Sequence, residues 1–167
     1  MPLIGKFRVL WLKGDKAGAQ AEILKAMELT KGKKTNLKRA EVIRGIAEMY
    51  IESEYKDLDQ ALTLLQEAIT KDPSNEDNYL LQGDALYAKT PQDASPAIKS
   101  YNIVLDINKN SPRGKLRVAN IYQAAQNYEE ANKIYKEAIA IDSTFAPAYR
   151  ERAEMFMRFD KMKLAIQ

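Results

Sequence analysis

Residues 112–145, PRGKLRVANIYQAAQNYEEANKIYKEAIAIDSTF, read as two helices joined by a short reversal. Leu116, Ala119 and Tyr122 form one stripe at helical spacing, ending near Gln126-Asn127. Ala131, Tyr135 and Ala138 form a second: a small residue, a bulky one four later, a small one three after that. Steps of four and three place the three side chains on one helical face, and the small ones let a neighbouring helix approach closely. Ser111 ahead of Pro112 supplies an N-cap before the first helical position, where the missing proline N–H costs nothing. Asp142-Ser143 closes the unit.

Working outward, the second stripe recurs at Ala97/Tyr101/Val104, Ala61/Leu65/Ala68 and Ala19/Ile23/Ala26, and a fifth begins at Ala165. The anchoring alanines stand 42, 36, 34 and 34 residues apart. Turn chemistry falls between the stripes. Lys71-Asp72-Pro73-Ser74 and Asn110-Ser111-Pro112 are stops, because proline ends a helix and biases its predecessor toward extended backbone. Gly14-Asp15 gives the tight reversal an antiparallel pair needs. One helix pair cannot bury both of its apolar stripes, whereas stacked pairs can.

This pattern resembles the tetratricopeptide repeat, whose 34-residue consensus has a bulky residue at position 4, Gly or Ala at 8, Tyr at 11, Ala at 20, Phe or Tyr at 24, Ala at 27 and Pro at 32. Residues 112–145 place Ala119, Tyr122, Ala131, Tyr135 and Ala138 at positions 8, 11, 20, 24 and 27, with Ser143 where proline is usual. From Ala146 onward Tyr149, Ala153 and Phe156 fall at 4, 8 and 11, and Ala165 at 20. Tyr79 and Gly83, then Ile43, Ala47 and Tyr50 with Pro73, mark the third and second repeats, each carrying two extra turn residues (KTPQDASP and ESEYKDLD). In the first repeat Phe7 occupies the small-residue slot, so its leading helix packs irregularly or acts as a cap. The 42-residue spacing around ELTKGKKTN implies lengthened helices or a looser junction. The resemblance implies an all-α, right-handed superhelical solenoid over 1–167, with repeats at about 1–33, 40–75, 76–111, 112–145 and a partial 146–167. Tyr50, Tyr101, Tyr122, Tyr135 and Phe156 are expected in the core, and the incomplete last repeat is expected to be the edge of a longer array.

Composition narrows the chemistry. The 167 residues contain no Cys and no His, which removes disulfides, thiolate and imidazole metal sites, cysteine nucleophiles and imidazole acid–base catalysis. No apolar run reaches the 18 or more residues of a membrane span, and residues 1–16 lack a signal-peptide pattern, since Lys6 and Arg8 break the apolar stretch. An enzyme would rely on carboxylates, with Glu48 and Glu52 or Glu48 and Asp84 as pairs; acids at helical spacing are ordinarily solvated faces. No phosphate loop or acidic calcium loop is present, and no cofactor is implied. The net charge of +3 is uneven: residues 1–44 hold 11 Lys and Arg against 4 Asp and Glu, concentrated at Lys31, Lys33, Lys34, Lys38 and Arg39. That run reads as a solvated linker and helix end, the alternative being a nucleic-acid or acidic-surface patch over residues 31–44.

Carried over from the family, first-helix positions 2, 5, 6, 9 and 12 face a bound peptide. Here these are Arg44 and Glu48; Asp77, Asp84 and Tyr87; Arg113, Arg117, Asn120 and Gln123; and Arg150 and Glu154. Family members that clamp a C-terminal carboxylate use neutral Asn where this chain has Glu48 and Asp84, so a captured carboxylate would be repelled. The expectation is a non-catalytic scaffold whose partner is another protein or peptide carrying both charges, with self-association through the array ends as an accompaniment. The compartment is left open.

Overall fold

The computed structural model describes residues 2–31, 36–52 and 57–166, all of them helical or in turns between helices. The described helices are α1 (Pro2–Leu12), α2 (Lys16–Lys31), α3 (Asn36–Glu52), α4 (Leu58–Lys71), α5 (Glu76–Lys89), α6 (Ser95–Ile107), α7 (Pro112–Ala124), α8 (Tyr128–Ile141) and α9 (Ala146–Ile166). They form two compact units, Met1–Asp93 and Ala94–Gln167. In the first, α1 packs on α2 and α3, α2 on α3, α3 on α4, and α4 on α5; in the second, α6 packs on α7, α7 on α8, and α9 on both α7 and α8.

The stripes that define the pattern are the core. All twelve residues of the four complete second-helix stripes, from Ala19/Ile23/Ala26 to Ala131/Tyr135/Ala138, are buried. In the first unit they join Phe7, Ile43, Ile46, Ala47 and Met49 in one cluster. Phe7 is therefore core despite its departure from the small-residue slot. The long spacing resolves into longer helices: α2 has 16 residues and α3 has 17, against 13 or 14 in α4 to α8.

Helix ends follow from named side chains. Asp15, Asp57, Asn75, Ser111 and Asn127 accept from the backbone N–H groups of Gly18 (2.9 Å), Gln60 (2.9 Å), Asp77 (3.1 Å), Gly114 (3.2 Å) and Glu130 (3.3 Å). Each satisfies a donor that the first helical turn leaves without an intrahelical acceptor. Gly114 also sets how closely α6 meets α7, since a Cβ there would lie 3.0 Å from both Leu105 Cδ2 and Val104 Cγ1.

Two expectations fail in α9. No second helix starts near Ala165: α9 runs unbroken for 21 residues. The sequence from Phe156 to Ile166 holds no Gly, Asn or Pro to reverse the chain there, whereas Gly14 and Gln126-Asn127 do so elsewhere. Tyr149, Ala153 and Phe156, the three slots that would pack on that second helix, are consequently exposed, and α9 is held instead by buried Ala148 and Met155. Tyr101 and Tyr135 are buried as expected, and Tyr50 and Tyr122 are half-buried. Residues 53–56 of the ESEYKDLD turn, and the side chain of Trp11, lie outside the described residues.

Candidate functional site

In the first unit the candidate residues Arg44 and Glu48 lie on α3, and Asp77, Asp84 and Tyr87 on α5; all five are half-buried. The junction between α4 and α5 brings two of them together. Arg44 Nη1 donates to Asn75 Oδ1 (3.1 Å) and Nη2 stands 3.6 Å from Asp77 Oδ2. Asn75 also caps α5 and donates from Nδ2 to Asp72 Oδ2 (2.9 Å), while buried Asn78 donates to the Asp72 carbonyl (3.0 Å). The Asp72-Pro73-Ser74-Asn75 stop thus does more than end a helix. Its Asn75 aims a guanidinium, and Asp77, two residues on, supplies the counter-charge. Glu48 and Asp84 are each engaged by neighbours, and the Glu52 side chain lies outside the described residues.

In the second unit Arg113, Arg117, Asn120 and Gln123 lie on α7, and Arg150 and Glu154 on α9. Arg113 and Arg150 are exposed, and the other four are half-buried. Buried Tyr135 of α8 reaches between two of them: its Oη is 2.7 Å from Asn120 Oδ1 and 2.6 Å from Gln123 Oε1. Burial pushes the Tyr135 phenol well above its ordinary value, so it stays protonated. On α9, Arg150 pairs with Glu151 (3.2 Å) and Glu154 with Arg158 (3.8 Å). Arg152 donates from Nε to Asn132 Oδ1 (2.8 Å), and its guanidinium lies 5.5 Å from the centre of the Phe156 ring.

A half-open pocket of about 320 Å³ between α7 and α9 is lined by Asn120, Gln123, Ala124, Gln126, Tyr128, Glu151 and Arg158. Asn120 and Gln123 are candidates from the sequence. Glu151 and Arg158 are not, though their spacing of seven, one face of a helix, is legible once one of them is placed. Another residue escaped the reading altogether. Glu22 is buried, and its position three after Ala19 matches Leu64, Ser100 and Ile134 after their own anchors.

Among the described residues no group of three or more acidic side chains could hold a metal ion, and no helix is long and apolar enough to cross a membrane. Of the basic stretch 31–44, the side chains of residues 31–39 lie outside the described residues.

No family model matches the chain, and no curated protein matches it. Its backbone has counterparts among solved structures. It is similar to a tetratricopeptide repeat protein from Parabacteroides merdae (TM-score 0.71, 20% identity), over 98% of this chain and 60% of that one. It is similar to MamA (TM-score 0.63, 18% identity, 92% of this chain and 84% of the other). It also resembles the first tetratricopeptide domain of Spaghetti (RPAP3), solved with the HSP90 peptide SRMEEVD (TM-score 0.61, 19% identity, 77% and 99% covered). At these identities the likeness is one of fold. The chain has the all-α tetratricopeptide-repeat fold that the resemblance implied.

Proposed function

We propose that the chain is a non-catalytic protein-interaction scaffold that takes an extended or helical peptide along the exposed faces of its first helices. The observation that carries this reading is the pre-positioning of polar side chains on those helices. Asn75 and Asp77 aim Arg44, and Tyr135 holds Asn120 and Gln123. Side chains already ordered lose less entropy when a ligand arrives. The fold likeness to a domain solved with a peptide supports the same reading. Both signs of charge line these faces, and Glu48 and Asp84 disfavour a bare carboxylate, so the partner segment carries both charges.

Affinity capture with the whole chain, followed by mass spectrometry, identifies the partner, and a titration then compares the wild type with the double variant Arg113→Glu/Arg117→Glu. Binding is expected to weaken at least about tenfold, as for loss of two directed charge contacts. Undiminished binding by the double variant rejects the assignment of α7 to the interface.

A further inference from the structure

The pocket between α7 and α9 has a hydrogen-bonding pattern that specifies its ligand. Tyr135 Oη lies within 2.7 Å of both the Asn120 and Gln123 carboxamides. A hydroxyl has one proton to donate and lone pairs to accept with. It therefore donates to the oxygen of one carboxamide and accepts from the NH2 of the other, which a half-turn of a carboxamide about its last bond permits. Whichever residue takes which part, the pair is left with one NH2 and one C=O directed away from the phenol. Because Tyr135 is fully buried, water does not compete for this hydroxyl, and the division of roles is enforced.

The rest of the lining is neutral in sum. Glu151 is matched by Arg150 at 3.2 Å and Arg158 by Glu154 at 3.8 Å. A charged ligand group would compete with one of those partners. A group that offers one acceptor and one donor side by side, without charge, would not. A primary carboxamide offers both on one planar group, whereas a carboxylate has no donor, an ammonium no acceptor and an aliphatic chain neither. About 320 Å³ is room for one such side chain with accompanying water.

We propose that this pocket takes the side-chain carboxamide of a Gln or Asn in the partner. The proposal rests on the peptide-scaffold reading above and adds to it a residue-level preference.

The test is a titration of the 15N-labelled 167-residue chain followed by NMR, using N-acetyl-glutamine methylamide as probe. The corresponding glutamate, methionine and alanine derivatives are the comparisons. Saturable shifts of the Asn120 and Gln123 side-chain NH2 resonances are expected with the glutamine probe, at about tenfold higher affinity than with glutamate. Tyr135→Phe keeps the buried ring but removes the hydroxyl, and should bring that preference to within about twofold while the backbone amide spectrum stays folded. Asn120→Asp, which removes an NH2 at nearly constant volume, should do the same. No shift up to the solubility limit overturns the proposal, and so does an equal shift from methionine. An equal response to the alanine derivative overturns it in favour of main-chain peptide groups, and a preference surviving in Tyr135→Phe overturns the assigned role of the phenol. A partner recovered by capture without any probe response removes the pocket alone. Probe binding with no partner recovered sustains the pocket and removes the scaffold reading.

Discussion

Each unit buries a polar, ionisable side chain on a second helix, Glu22 on α2 and Tyr135 on α8, and the two are accommodated in opposite ways. In the first, Glu22 is buried as a charged group: Lys6 Nζ and Lys25 Nζ approach the same oxygen, Oε1, at 2.7 and 3.1 Å, and Oε2 is buried with no hydrogen-bond partner among the described residues. In the second, Tyr135 is buried as a neutral phenol between two carboxamides. The slots they fill are equivalent in burial to apolar ones: Glu22 matches Leu64 and Ile134, and Tyr135 matches Ile23 and Leu65. A repeat therefore dictates which positions lose water, not the chemistry found there. A charge survives in such a slot only beside opposite charge, a hydroxyl only beside hydrogen-bond partners.

The largest effects should come from removing apolar bulk on either side of this comparison. Tyr135→Ala in the second unit and Phe7→Ala in the first are each expected to destabilise by about 3–5 kcal/mol, measured by urea denaturation. A cost below about 1 kcal/mol for Phe7→Ala would show that α1 contributes little to the core of the first unit. Tyr135→Phe separates packing from hydrogen bonding and should cost only about 1 kcal/mol. Next in size is the close approach of α6 and α7. Gly114→Ala sets a Cβ 3.0 Å from Val104 and Leu105 and is expected to destabilise by about 1–3 kcal/mol, unless Leu105, at its free end, turns away.

The periodic alanines made the helix pairs legible, because a small residue at steps of four and three has a single physical use, close helix contact. The cap at Ser111, ahead of Pro112, was legible from local chemistry, as was the reversal at Gly14-Asp15. What was not legible depended on neighbours in space. Arg44 was assigned from the family pattern as facing a ligand, and only the fold brings Asp77, 33 positions later, to 3.6 Å from it. Asn120 and Gln123 were assigned from the family pattern, but their bonds to Tyr135 join two helices. The error at Phe156 has the same origin. A consensus slot is buried only when the helix it packs against is there, and α9 runs straight through the place where the turn was expected.

Smaller effects attach to the two helix reversals, which share one geometry and differ in the residue that adopts it. Asp15 N–H reaches the Leu10 carbonyl at 3.0 Å across Gly14, and Asn127 N–H reaches the Tyr122 carbonyl at 2.9 Å across Gln126. Gly14 has φ +81° and Gln126 has φ +61°. Left-handed backbone is free of cost for glycine and costs a residue with a Cβ about 1 kcal/mol. Gly14→Ala should therefore destabilise, and Gln126→Gly stabilise, each by about 1 kcal/mol, with opposite shifts of the denaturation midpoint. Equal signs would mean that the turns are not equivalent.

The smallest expected effect bears on the comparison most directly, because it titrates the two buried groups from opposite ends of the pH scale. Hydrogen bonds from Lys6 and then Lys25 hold the Glu22 carboxyl below its usual value of 4.5. Its stabilising contribution is thus present above that value and lost as pH falls through the lowered folded one. The loss should be slight, since Lys6 and Lys25 are 58% and 63% exposed and water competes for both. Tyr135 behaves in the reverse sense: burial raises its phenol above the usual 10.0, so the neutral form favours folding below that pH and the advantage disappears as pH rises beyond it. Denaturation midpoints of the wild type should accordingly approach those of Glu22→Gln in acid and fall relative to those of Tyr135→Phe in alkali. Hydrogen exchange should place the acid-sensitive amides in α1 and α2 and the alkali-sensitive ones in α7 and α8. Acid sensitivity that persists undiminished in Glu22→Gln would move its source to another carboxylate, and alkali sensitivity that persists in Tyr135→Phe would move its source to another tyrosine.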